Sequence, residues 1–214
     1  MTHSLASRWR PARAAAGLTL LVIGLACSDS TLEPDPDGTE KPQSELTIIR
    51  LPANHPPFFA DSAAFYARPG QPGEATIYFR APGGGRGDIF AELKLDDQTL
   101  AARPDGTPFG PNDSVLIVMK VPSPNEILIE LSPTGLRFDP QNPAELTLRY
   151  AATAGDLDGD GDHDDEDEDI ERVIAIWRQE KPGDPFVKIG TVKLEDVGEL
   201  KARLTSFSRY AISY

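Results

Sequence analysis

Ten short runs rich in Val, Ile, Leu, Thr and aromatic residues follow one another through residues 46–214, each closed by a turn, and this punctuation leaves few folds open. The runs are 46-LTIIRL-51, 75-ATIYFR-80, 89-IFAELKL-95, 114-SVLIVMKV-121, 126-EILIEL-131, 145-ELTLRY-150, 172-RVIAIWR-178, 186-FVKIGTVKL-194, 200-LKARLTSF-207 and 209-RYAISY-214. Between them lie turn formers such as 81-APGGGRG-87, 103-RPDGTPFGPND-113, 122-PSPN-125, 139-DPQNP-143 and 181-KPGDP-185. In 126-EILIELS-132 polar and apolar residues alternate with period two, which suits a strand with one buried face. No window of ten or more residues keeps a helical period. The stretch 58-FFADSAAFYA-67 reads either as a helix or as an extended surface segment. The expectation is an all-β fold, an antiparallel β-sandwich forming one domain over 46–214.

The N-terminus reads as a removable export signal over residues 1–26. Arg8, Arg10 and Arg13 supply the positive start, and 17-GLTLLVIGLA-26 supplies a short apolar segment before Cys27, the only cysteine. About 20 apolar residues are needed to span a bilayer, so this run suits a signal peptide rather than an anchor. The residues 23-IGLAC-27 are similar to a bacterial lipobox, which makes Cys27 the expected lipid attachment site and the mature N-terminus. The acidic, proline-bearing run 28-SDSTLEPDPDGTEKPQSE-45 reads as a flexible tether, so residues 27–45 form a lipidated cysteine plus linker. Residues 1–26 hold three arginines and no acid, so their removal takes the formal charge from −13 to −16. Such a chain repels nucleic acid and tolerates divalent cations. With Cys27 carrying lipid no disulfide can form, and the fold rests on its core. The expected location is the cell envelope, exported and held at the outer membrane by the lipid.

Eleven of the sixteen residues from Asp156 to Glu171 are acidic. Within 156-DLDGDGDHDDED-167 the spacing follows a twelve-residue calcium loop. Asp156, Asp158 and Asp160 fall at positions one, three and five, and Gly161 at six, where a sharp turn is needed. Asp162 would offer its backbone carbonyl and Asp164 a direct or water-mediated ligand. Position twelve is Asp167, one methylene shorter than the usual glutamate, with Glu166 or Glu168 as alternatives. His163 stands at position eight, where an apolar residue normally ties the loop to the core. No helix is evident before the loop, and 170-IERVIAIWR-178 reads as a strand. The expected ion is a structural calcium bound weakly, near the extracellular range of about 10⁻⁴–10⁻³ M. The competing reading is a solvated, mobile acidic insertion over 155–169. A sensor role is not expected, because no Met-rich helix pair exists to open.

The stretch 131-LSPTGLRFDPQNPAELTLRY-150, with Pro133, Gly135, Leu136 and Phe138, is followed by Trp177 within 173-VIAIWRQE-180 and by 205-TSFSRYAISY-214. This pattern resembles the ZU5-like β-sandwich region of bacterial surface lipoproteins, and the acidic stretch resembles a dockerin-type, EF-hand-like calcium loop inserted into it. The resemblance covers about 126–214 and reaches 89–121 only loosely. The Gly-Gly start and the Pro-Pro-Gly-Ala-Leu segment of such domains are absent, and 93–121 occupies their place. It implies an Ig-like sandwich serving as a structural or interaction module, without shared catalytic residues. Independently of it, Leu136, Phe138, Trp177 and Phe207 look like large core anchors.

Little else suggests chemistry. Arg86-Gly87-Asp88 is explained by its turn, and 83-GGGRG-87 lacks the lysine and helix of a phosphate loop. His55 sits amid 52-PANHPPFF-59, and no serine lies in a nucleophile-elbow context. The chain is not expected to be an enzyme. The functional expectation is a lipid-anchored envelope module meeting an envelope protein or polysaccharide. A calcium-dependent adhesion or carbohydrate-binding domain is the alternative, and a hydrolase is the remote one.

Overall fold

A computed structural model describes residues 38–214. The export signal, Cys27 and residues 28–37 lie outside the described residues. In chain order the strands are β1 Glu40–Lys41, β2 Ser62–Ala67, β3 Gly73–Arg80, β4 Arg86–Leu95, β5 Leu100–Ala102, β6 Val115–Lys120, β7 Leu128–Ser132, β8 Arg137–Phe138, β9 Ala144–Arg149, β10 Ala175–Gln179, β11 Phe186–Lys188, β12 Thr191–Leu194, β13 Glu199–Leu204 and β14 Arg209–Ser213. One helix, α1, spans Asp165–Val173.

Two large antiparallel sheets pack face to face, which makes the chain an all-β sandwich. One has seven strands in the order β1-β11-β10-β14-β7-β6-β2, the other five in the order β12-β13-β9-β4-β3, and β5 pairs with β8 in a small third sheet. The core follows from period-two alternation. On β3, Ala75, Ile77 and Phe79 are buried while Glu74, Thr76, Tyr78 and Arg80 point outward. Each such strand contributes every second side chain to a common layer. Phe90, Leu93, Ile117, Met119, Ile129, Leu131, Leu146, Leu148, Ile176, Leu200 and Ile212 fill it. Leu136, Phe138 and Phe207 join the same layer as expected, with the Phe138 and Phe207 rings edge to face at 4.8 Å.

Trp177 is buried elsewhere. It packs on the outer face of the seven-stranded sheet with Leu46, Leu128, Ala175, Phe186 and Ala211, and its Nε1 donates to the Ser213 carbonyl at 3.1 Å. This satellite cluster needs a cover, and the end of the expected tether supplies it. β1 pairs with β11, residues 43–45 form a 3₁₀ turn, and Lys41 Nζ lies 5.4 Å from the Trp177 ring centroid. The chain is therefore engaged with the sandwich from Thr39, whose carbonyl accepts from Lys188 N, earlier than its polar composition suggests.

Three further elements decide or correct the sequence reading. Residues 62–67 form β2, an edge strand paired with β6, which is the extended alternative and excludes the helix. The run 186–194 is two strands, with β11 in the seven-stranded sheet and β12 in the five-stranded one, so the chain changes layers at Ile189–Gly190. The third is the expected strand at 172–178, which begins only at Ala175 because α1 occupies the residues before it.

Candidate metal site

The acidic loop leaves the end of β9 through a 3₁₀ turn at Ala151–Thr153. It then reverses at Ala154 and Gly155, whose φ values of 57° and 94° lie in the left-handed region. From Asp156 onward short side chains bond the backbone just ahead of them. Asp156 Oδ1 accepts from Gly159 N at 2.7 Å, Asp158 Oδ1 from Asp160 N at 3.0 Å, and Asp160 Oδ1 from Asp162 N at 3.2 Å. Consecutive Asx turns of this kind need positive φ between them. Gly159 and Gly161 provide it, at 87° and 106°.

The loop ends at α1. Asp164 is its N-cap, accepting from Glu166 N at 2.8 Å, and Asp167 completes a capping box by accepting from Asp164 N at 3.1 Å. Acidic residues fill the first turn, where the helix dipole favours them. The sequence hid this helix because no apolar stripe of useful length marks it. A D-x-x-D cap at 164–167 was the available signal.

Asp167 is the centre of the arrangement. It is 1 % exposed, and its Oδ1 accepts from Leu157 N at 2.6 Å and Asp158 N at 3.3 Å. Burial pushes its carboxyl up, but the N–H groups of Leu157, Asp164 and Asp158, with the nearby His163, outweigh that and hold it below the usual range. Glu166 and Glu168 are exposed on α1, so position twelve belongs to Asp167. Two sets of carboxylates share it. Single oxygens of Asp156, Asp158 and Asp167 lie within 4.8 Å of one another, as do those of Asp162, Asp164 and Asp167. These clusters could hold a metal ion. Asp160 belongs to neither set. The Asp162 carboxylate lies within the second set.

The donors are hard carboxylate oxygens, which suit a hard divalent cation. Asp167 offers about four lone-pair positions and three N–H groups use three of them, so it fits as a single-oxygen ligand. The crowding has a measurable cost. Asp162 is pushed above the usual carboxylate range by the charge of Asp160 first, then by slight burial and the charges of Asp164, Asp167 and Asp158.

Rigid attachments couple this loop to the sandwich. Leu157 and Ile170 insert into the main core, taking the anchoring role that His163 cannot fill. His163 instead remains largely exposed, with Nδ1 3.2 Å from the Gly155 carbonyl and 3.7 Å from Asp167 Oδ2. Tyr150, at the end of β9, donates to Glu171 Oε1 at 2.7 Å, and Lys193 of β12 donates to the Glu171 carbonyl. Burial and the Glu171 carboxylate push the Tyr150 phenol well above its ordinary value. On its other side the loop borders a cleft of about 680 Å³, whose lining includes Ile48, Arg50, Pro52, Glu126, Asp156 and Asp158.

No known protein family matches the chain, and no curated protein or solved structure matches it.

Proposed function

We propose that this is an exported, lipid-anchored structural or interaction module of the cell envelope, in which loop 156–167 binds calcium to staple the β9–β10 connection. Asp167 carries the calcium reading. A buried carboxylate shared by two sets of acidic ligands is placed where an ion would join the loop to α1, and α1 to the core. Calcium fits better than a smaller ion because the donors are all carboxylates on one loop and impose no octahedral geometry. The lipid anchor rests on Cys27 and the apolar run before it.

Calorimetric titration of residues 28–214 with calcium tests the loop, with a dissociation constant expected at about 10⁻⁴–10⁻³ M. Neither heat nor a rise in melting temperature at 10 mM calcium would remove the metal from this reading. Palmitate incorporation that persists after Cys27→Ser would remove the anchor at that residue. The cleft beside Asp156 and Asp158 favours one second reading, a calcium-dependent adhesion or carbohydrate-binding domain. It predicts glycan retention that chelation abolishes.

A further inference from the structure

Arg80 and Arg86 stand directly opposite each other across the tip of the β3–β4 hairpin. Like charges in that position destabilise a strand pair. A chain with 34 acidic residues has ample means to neutralise them, yet neither makes an ion pair with a carboxylate among the described residues. With no carboxylate answering them, both charges remain available to an anion from outside the chain.

Both guanidiniums converge on one ring. Arg80 Cζ lies 5.4 Å and Arg86 Cζ 6.0 Å from the Phe59 centroid, and Arg86 also lies 5.1 Å from the Tyr78 ring. Phe59 is held in place by its N–H, which donates to the Tyr78 carbonyl at 2.8 Å, and it remains 38 % exposed. Arg80 uses one N–H on the Phe59 carbonyl at 3.2 Å. The other donors of both arginines are free to form a fork, because stacking on an aromatic face leaves the guanidinium edge open. The hairpin tip itself is open, since a Cβ at Gly83, Gly84 or Gly85 would meet nothing within 4 Å.

We infer that Arg80, Arg86, Phe59 and Tyr78 form a binding site for an acidic saccharide. The two guanidiniums take its carboxylate or sulfate through paired N–H donors, and the exposed Phe59 ring takes the C–H face of the sugar. A simple anion would not need the exposed ring. A dense polyanion is a poorer fit: nucleic acid carries a charge about every 1.7 Å and would meet a chain of net charge −13, with Asp61 and Asp88 close in sequence. A saccharide with one acid per repeat presents its charge where the two arginines are and little elsewhere. This site is on β3–β4 and does not depend on the calcium loop.

The test is calorimetric or NMR titration of residues 28–214 with a hyaluronan octasaccharide. Comparators are a neutral dextran oligosaccharide, a single-stranded DNA oligonucleotide and phosphatidylglycerol vesicles. The acidic saccharide is expected to bind, more weakly as salt rises, and the comparators to bind at least about tenfold less. Arg80→Gln and Arg86→Gln should each lower affinity about tenfold or more, and Phe59→Leu about threefold. Arg86→Lys, which keeps charge but loses the fork, should fall between. Both glutamine variants should melt close to the parent, because relief of the like-charge repulsion offsets the lost ring contacts. No binding of the acidic saccharide, or equal binding of dextran, overturns the site. Loss of binding only in step with a lowered melting temperature makes the arginines structural. Tighter binding of DNA or vesicles overturns the ligand class.

Discussion

In the β9–β10 connection carboxylates are crowded within reach of backbone N–H groups. At the β3–β4 tip two guanidiniums are crowded over aromatic rings. Carboxylates are acceptors, so a chain bent by Gly159 and Gly161 can answer them with its own amides, as at Asp156, Asp158 and Asp160. Guanidiniums are donors and cations, and among the described residues no carboxylate pairs with Arg80 or Arg86, so Phe59 and Tyr78 accept them through their faces. The loop is fixed to the core by Leu157, Ile170 and the Tyr150–Glu171 bond, whereas the arginine site is on the hairpin's outer side. Occupying the first should therefore alter the stability of the whole sandwich, and altering the second should not.

The comparison breaks most sharply at Asp167. Asp167→Ala leaves three N–H groups without their acceptor and is expected to cost about 2–4 kcal/mol in urea unfolding, while also abolishing any calcium response. Asp167→Asn, which keeps the shape, should lose the calcium response with a smaller stability cost. An unchanged calcium shift in either variant would dissociate the ion from Asp167.

Tyr210 sharpens the comparison from the core side. Burial pushes its phenol up to about 12. Because the folded value lies above the unfolded value near 10, its contribution is complete below pH 10 and lost as pH rises toward 12. That amounts to about 2–3 kcal/mol. Tyr210→Phe should flatten this alkaline loss equally with and without calcium, as belongs to a group remote from the loop.

Calcium at 10 mM should stabilise the parent by about 1.4–2.7 kcal/mol, the range set by a dissociation constant of about 10⁻³–10⁻⁴ M. Arg80→Gln and Arg86→Gln should leave that increment intact and change baseline stability by no more than about 0.5 kcal/mol. The smallest effect is expected at Asp160, which lies outside both carboxylate sets. Asp160→Asn should weaken calcium less than about threefold, against about tenfold for Asp158→Asn. Equal losses at the two positions would mean the ion sits farther out along the loop.

Most strands were legible because their signals are local. Alternation along 75–80 and 126–131, and turn residues between runs, need no knowledge of partners. The β2 strand was not, because 62-SAAFYA-67 has alanines at half its positions and acquires its identity only by pairing with β6. The division of 186–194 into two sheets was hidden for the converse reason, since both halves have good strand composition and the layer change depends on where β10 and β13 lie. At the loop, spacing identified the acidic residues that converge, with Asp160 as the exception. It missed Leu157, whose apolar side chain between two aspartates carries the attachment to the core, and it missed Tyr150, whose role depends on α1.

The pairing of β1 with β11 has a mechanical meaning if the chain is tethered through Cys27. Two register pairs, Glu40 with Val187 and Lys41 with Phe186, the Lys188-to-Thr39 bond, the Gln179-to-Gln43 bond and Lys41 over the Trp177 ring hold this edge. A pull on the N-terminus loads them one after another, so the edge peels rather than shears. Detaching residues 38–45 would release about 26–29 Å of extended chain and uncover Trp177 while the two main sheets stayed paired. Under such a tether the docked segment would be a short, recoverable extension that yields before the sandwich does.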